Sequence, residues 1–204
     1  MNNIFMRRKI GENGEYKHYQ DYIDHQKVKT TDPVRREKWL GKEWQWKINV
    51  FTDNFSRLSE IGLKPKSKCI CLGARTGQEV VALNNLGYEA LGIDIVPYEE
   101  ANVVLGDIHD LKYQDNSFEF AFTNILDHSI FPEKFISETE RVLKPGGLAL
   151  FQLQLNIQSD EYAENDIYSG NDVINLFKNS KVIWNQQIPN NKYFMNWEIL
   201  MKKN

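Results

Sequence analysis

The 204-residue sequence has no long apolar run, only two cysteines, and neither an internal repeat nor a low-complexity tract. No stretch nears the roughly 20 apolar residues that a membrane-spanning helix needs, so no membrane partner is expected. The segment Met1 to Lys9 puts its charge after its apolar residues, the wrong order for a secretory signal. Cys69 and Cys71 stand two apart on one predicted strand, so they share a face with Cα atoms about 7 Å apart, too far for a disulfide. They read as reduced, buried side chains of a cytoplasmic protein. Without further ligands nearby they do not make a zinc site, and no metal is expected.

What is present suits one α/β domain with a modest extension. The 41% apolar fraction fills a core, and 26% charged residues is ordinary for a soluble chain. The formal charge of −3 is unevenly spread. Residues 1–68 hold 15 Lys/Arg and 9 Asp/Glu, a net of +6, and residues 69–204 hold 10 and 19, a net of −9. A basic extension on an acidic body either draws an anionic substrate or is a plain solvated helical surface. No basic, aromatic-interleaved motif points to nucleic acid.

The most informative stretch is Cys69 to Glu79. An apolar run, Cys69 to Leu72, reads as a buried strand, and a helical pattern starts by Gln78. Gly73 and Gly77 in the turn between them let backbone N–H groups approach a ligand closely. Thr76 and Glu79 have capping-box spacing, and a helix N-terminus suits an anion.

Around that turn the chain alternates. Residues 1–15 read as a mobile tail. A helix is expected from Tyr16 to Lys29, with Tyr19, Tyr22, Ile23 and Gln26 near one face. A second runs from Pro33 towards Ile61, N-capped by Asp32 and broken near Gly41. Its stripe of Trp39, Leu40, Trp44, Ile48, Phe51, Phe55 and Leu58 reads as packing surface. Further strands are expected at Glu89–Asp94, Asn102–Asp107, Phe118–Asn124, Leu148–Leu155, Lys181–Ile188 and Trp197–Lys202, with helices at Gln78–Leu86, Pro132–Leu143 and Asn171–Lys178. Such alternation predicts a doubly wound, mostly parallel sheet, and the last two strands, joined by the polar loop Pro189–Asn196, should form an antiparallel hairpin. Asp94 ends the second strand about 20 residues past the first glycine, where an acid binds a ribose hydroxyl pair.

These features resemble the class I S-adenosylmethionine-dependent methyltransferases, most closely the type 11 (UbiE-like) small-molecule group. The residues that carry the resemblance are Leu72-Gly-Ala-Arg-Thr-Gly77, Gly92-Ile-Asp-Ile95, Gly106-Asp-Ile108, Asp115 to Phe120 and Arg141-Val-Leu-Lys-Pro-Gly-Gly147. It implies a seven-stranded sheet with a C-terminal antiparallel hairpin, an α/β domain at 66–204, and a tail with helices at 1–65 acting as substrate lid. It also implies S-adenosyl-L-methionine as cofactor. Gly73, Ala74, Arg75, Thr76 and Gly77 would cradle the methionyl part and ribose, and Asp94 would chelate the ribose. Gly106, Asp107, Ile95 and Ile108 would hold adenine, and Asn124 and Ile125 would lie by the sulfonium. Two departures stand out: the acid usual two residues before the first glycine is Cys71, and the glycine usual in mid-turn is Arg75.

Methyl transfer needs alignment above all, and a base only where the acceptor keeps its proton. His128 is the candidate base, with Asp127 beside it, against a purely structural role. His109 reads as an adenine-side or surface residue. His25 and Lys27 are candidate substrate contacts. The basic roof suits a small acceptor bearing phosphate or carboxylate, such as a nucleotide-linked or surface-polysaccharide sugar, bound by a monomer or homodimer. Alternatives are a nucleic-acid or protein methyltransferase, a non-catalytic cofactor-binding domain, and a nicotinamide-dependent dehydrogenase. The stretch Thr123 to Asp127 lacks the (D/N)-P-P-(Y/F) motif of base amino-methylation.

Overall fold

A computed structural model describes residues 4–157, 160–188 and 195–204. Three helices come first: α1 (Tyr19–Thr31), α2 (Pro33–Leu40) and α3 (Trp44–Phe55), the last continuing into a 3-10 turn at Ser56–Leu58. The strands and remaining helices then alternate as β1 (Lys68–Leu72), α4 (Gln78–Asn85), β2 (Glu89–Asp94), β3 (Val103–Leu105), β4 (Phe118–Thr123), α5 (Pro132–Val142), β5 (Leu143–Leu153), α6 (Gly170–Ile174), β6 (Ser180–Gln187) and β7 (Trp197–Lys203). The sheet order is β3-β2-β1-β4-β5-β7-β6. The pairs β1–β2, β1–β4, β2–β3 and β4–β5 are parallel, and β7 runs antiparallel to both neighbours. The expected parallel sheet with a closing hairpin is therefore observed. The order reverses between β1 and β4, so the carboxyl ends of these strands open a crevice there.

Side-chain alternation on the strands builds two cores. Ile70 and Leu72 of β1 face α5 and α6, packing with Phe135, Phe151 and Val173. Cys69 and Cys71 face the other way, free and buried, with Phe120 and Phe122 of β4 and with α3 and α4. Phe51 and Phe55 meet Phe122 edge-on at 5.6 and 4.9 Å. Burying such a ring is worth about 2–3 kcal/mol, enough to dock α3 firmly on the sheet. The aromatic stripe is thus packing surface at Ile48, Phe51, Phe55 and Leu58, all buried.

Several expectations need correction. The described part of the tail is pinned: Phe5–Met6 pairs antiparallel with Asn165–Asp166, and Arg7 N–H donates to the Glu164 carbonyl at 2.9 Å. The long second helix is two, because Gly41 leaves helical geometry at φ −92°, ψ −109°. Its start is as read: the Asp32 side chain accepts from Arg35 N–H at 2.7 Å, with Pro33 first in the helix. Gly77, not Thr76, caps α4; the Thr76 hydroxyl turns to Gln78 Oε1 at 2.9 Å. The helix at 171–178 shortens to five residues. The polar loop read at Pro189–Asn196 falls mostly on 189–194, outside the described residues.

Candidate functional site

The carboxyl ends of β1, β2 and β4 bring Gly73, Asp94 and Ile125 to one cavity, and the residues after β3 add Gly106, Asp107 and Ile108. Ile95, Arg75 and His128 also line it. Ala74 and Asn124 line a smaller adjoining cavity that shares Gly73 and Arg75. Of the other sequence candidates, Thr76 is fully buried and Gly77 packs against Ala101 and Val103, so neither borders the main cavity.

Gly73 has φ +75°, and a Cβ there would meet the Ile125 side chain at 2.4 Å. Only glycine leaves that space open. Arg75 also sits at positive φ, 51°, and its guanidinium lies over the Trp39 ring, 4.2 Å from the centroid. The turn therefore keeps a cation at the cavity edge on an aromatic plate.

Asp94 is buried, and burial raises its carboxyl above the usual range although the backbone N–H groups of Val96, Arg75 and Ile95 and the Arg75 charge oppose this. Arg75 N–H donates to Oδ2 and Val96 N–H to Oδ1, both at 2.9 Å. A carboxylate has about four lone-pair sites, so each oxygen keeps one for a ligand hydroxyl. Asp107 is differently held. Burial would raise its carboxyl, but His109 and Tyr19 outweigh that and bring it to about 2. Its Oδ1 accepts from His109 N–H at 2.8 Å, and its Oδ2 from the Tyr19 hydroxyl at 2.7 Å. His109 is buried beneath it, with Nε2 2.7 Å from the Ser129 hydroxyl. It is neither on the surface nor on the cavity wall.

The roof is α1, whose Tyr22, Gln26 and Lys29 face inward at helical spacing with Ile23 and Thr30. His25 and Lys27 do not line the cavity. His25 lies 2.8 Å from the Tyr16 hydroxyl and stacks on Tyr162. Lys29 is the inward cation, 3.1 Å from His128 Nε2 and 2.8 Å from Asp160 Oδ2. It was missed because a lysine on a mixed helix carries no periodic signal of its inward face. His128 Nδ1 lies 2.8 Å from the Tyr162 carbonyl, so the ring donates there and Nε2 accepts from Lys29. Burial lowers the His128 pKa; Asp127 opposes and Lys29 reinforces this. Asp127 itself is buried, 3.7 Å from His128 Nε2.

A nucleoside fits this arrangement: an acid at one strand tip with spare lone pairs, a second acid at the next, and isoleucine walls for a planar ring. Residues 70–151 match the family model described as a methyltransferase domain. That stretch is therefore similar to a methyltransferase domain. An uncharacterized methyltransferase of Synechocystis sp. is 29% identical over 103 residues, covering 45% of this chain and 49% of its own length. The match thus spans about half of that relative. The chain is similar in fold to the Burkholderia thailandensis 1,6-didemethyltoxoflavin-N1-methyltransferase, solved with 1,6-didemethyltoxoflavin and S-adenosylhomocysteine. The TM-score is 0.71 at 11% identity, over 96% of this chain and 94% of that one. The [4+2]-cyclase SpnF shares the fold too, with a TM-score of 0.61 at 13% identity over 76% of this chain and 80% of that one. The fold alone therefore does not name the reaction. Among the described residues no cluster of His, Cys, Asp and Glu could hold a metal ion, and no helix is long and apolar enough to cross a membrane.

Proposed function

We propose that this chain is an enzyme that transfers a methyl group from S-adenosyl-L-methionine to a small acceptor seated under α1. The observation that carries the reading is the convergence of Asp94 and Asp107 on one cavity, beside the Gly73 turn and between Ile95 and Ile108. Asp94 would take both ribose hydroxyls on its spare lone pairs, and Asp107 the adenine amino group. S-adenosylmethionine, held there by these residues, would supply an electrophilic methyl carbon on a sulfonium leaving group. The chain contributes alignment and exclusion of water, the terms that dominate such a displacement. Ile125 and Gly73 would border the methyl-bearing end, with Gln26, Lys29 and His128 lining the same cavity. His128 Nε2 takes the acceptor's proton if that acceptor is a hydroxyl, with Lys29 giving up its place there.

The cations of the roof favour a neutral acceptor over an anionic one. Lys29 already pairs with Asp160, and Arg35 stands 4.0 Å from Asp160 and 3.8 Å from Glu161. An arriving phosphate or carboxylate would have to displace those acids. The test is calorimetric titration of S-adenosylmethionine and S-adenosylhomocysteine, then a screen of metabolites for methyl uptake. Asp94→Ala with Asp107→Ala should weaken both nucleosides at least about 100-fold, the loss of several hydrogen bonds to charged groups. Unchanged binding would sink the reading.

A further inference from the structure

The smaller cavity shares Gly73 and Arg75 with the first and is lined further by Lys47, Gln78, Glu79 and Asn124. It holds two cations and one acid against the turn's backbone. Glu79 stands in the first turn of α4 and is only 6% exposed. Lys47 and Arg75 act on it through space rather than by a hydrogen bond. Burial pushes its carboxyl up to about 7; its own backbone N–H, Arg75 and Lys47 pull the other way, and Asp94 adds to the rise. Lys47 is likewise pushed down, first by burial and then by Arg75. Lys47 also pairs with Glu43 at 2.9 Å, outside the cavity lining; two cations and an under-compensated acid around one small cavity match a ligand that carries both charges.

Cys71 explains why the acid is there. Its thiol is raised by burial and, next, by the charge of Glu79, so the two side chains share one neighbourhood. An acid at position 71 would face a like charge, and only one of the pair would ionise. The sequence keeps one acid, and keeps it on the helix rather than at the strand tip.

We infer that Glu79 receives the α-ammonium and Lys47 with Arg75 the α-carboxylate of the cofactor's amino-acid end, Glu79 standing in for the strand-tip acid that Cys71 replaces. This rests on the cofactor reading above and adds the residues that recognise the zwitterion.

The test uses the full chain and two ligands, S-adenosylhomocysteine and 5′-methylthioadenosine, the second having the adenosyl sulfur without the amino-acid end. Glu79→Gln should weaken S-adenosylhomocysteine at least about tenfold by calorimetry, a loss of one charge-assisted hydrogen bond. It should leave methylthioadenosine within about twofold, and Lys47→Met should show the same selectivity. A second measurement needs no variant. The groups facing Glu79 are Lys47 from α3, Arg75 from the turn, Asp94 from β2 and Cys71 from β1. The ammonium requires ionised Glu79, so wild-type affinity for S-adenosylhomocysteine should fall as pH drops below 7, by up to about tenfold per pH unit. The methylthioadenosine profile should stay flat. Equal loss of both ligands in Glu79→Gln, no loss, or a flat homocysteine profile overturns this inference alone. A wild-type chain that binds neither nucleoside overturns it together with the cofactor reading.

Discussion

The Tyr19 hydroxyl donates to Asp107 Oδ2 at 2.7 Å, so a roof helix outside the sheet orients the carboxylate at the tip of β3. The same hydroxyl lies 2.7 Å from His109 Nδ1. Phe131 N–H points at His109 Nε2 at 3.4 Å, which makes Nε2 the acceptor and Nδ1 the donor. Asp107 is therefore held from two directions. Tyr19→Phe removes one hold. We expect stability to fall by about 1 kcal/mol, or about 2–4 °C in Tm for a chain of this size. The depressed Asp107 value stabilises the fold above pH 3.8 and is lost as pH falls towards about 2. In the variant that window should narrow from its acidic side, which acid denaturation followed by circular dichroism measures. An unaltered acid limb would show that Tyr19 does not hold the carboxylate.

Gly73 and Gly87 separate two costs of adding a side chain. Both have positive φ, 75° and 86°, but a Cβ at Gly73 meets Ile125 at 2.4 Å and one at Gly87 meets nothing within 4 Å. Gly87→Ala should cost only the backbone penalty, about 1 kcal/mol. Gly73→Ala should cost about 1–3 kcal/mol more and weaken S-adenosylhomocysteine at least about tenfold, because Ile125 must move into the cavity. Thermal melts and calorimetry of both variants check this. Equal behaviour would mean that Ile125 yields freely.

The sheet and the two acids were legible for a simple reason. Buried parallel strands such as Cys69–Leu72 and Phe118–Thr123 are nearly continuous apolar runs, and on the neighbouring strands Asp94 ends β2 and Asp107 follows β3. The roof was not. Helix α1 buries Tyr22, Gln26 and Thr30 and has no apolar stripe. Gln26 donates to the Tyr162 carbonyl and to Glu164 Oε1, partners more than 130 positions away, and such pairs leave no periodic trace. His25 and Lys27 are chemically plausible contacts on that helix, yet Lys29 is the one that faces inward. At Thr76 and Glu79 the capping-box spacing was real, but Thr76 is buried against Gln78 and Glu79 turns into the smaller cavity.

Glu198 on β7 is wholly buried and paired with Arg57 from the turn after α3. Arg57 Nη1 donates to Oε1 at 2.7 Å, Nη2 donates to Oε2, and Gln186 Nε2 donates to Oε1 at 2.9 Å. Arg57→Met would strip the guanidinium and leave the acid buried with one amide donor. We expect a loss of about 3–5 kcal/mol in urea unfolding. Adding Glu198→Gln should recover much of it, since the buried charge is then gone. A double variant as unstable as the single one would be falsified as a charge effect and assigned to lost packing on Trp184, over which Arg57 lies at 5.1 Å.

His128 is the group whose protonation decides whether the roof holds a base. Its Nδ1–H is fixed on the Tyr162 carbonyl, and the Lys29 ammonium 3.1 Å from Nε2 opposes a second proton. The folded pKa is lowered below 6.5, so the unfolded chain takes up a proton that the folded chain refuses. Stability therefore falls as pH drops through 6.5 towards the folded value. In NMR titration the His128 ring, assigned by its loss in His128→Asn, should show a midpoint below 6.5 and the Nδ1–H tautomer above it. Lys29→Met should move that midpoint up, because a cation that disfavours the charged ring is gone. Asp160→Asn should move it down, since Asp160 favours the charged ring. A midpoint at or above 6.5 in the unmodified chain would show that burial and Lys29 do not hold the ring neutral.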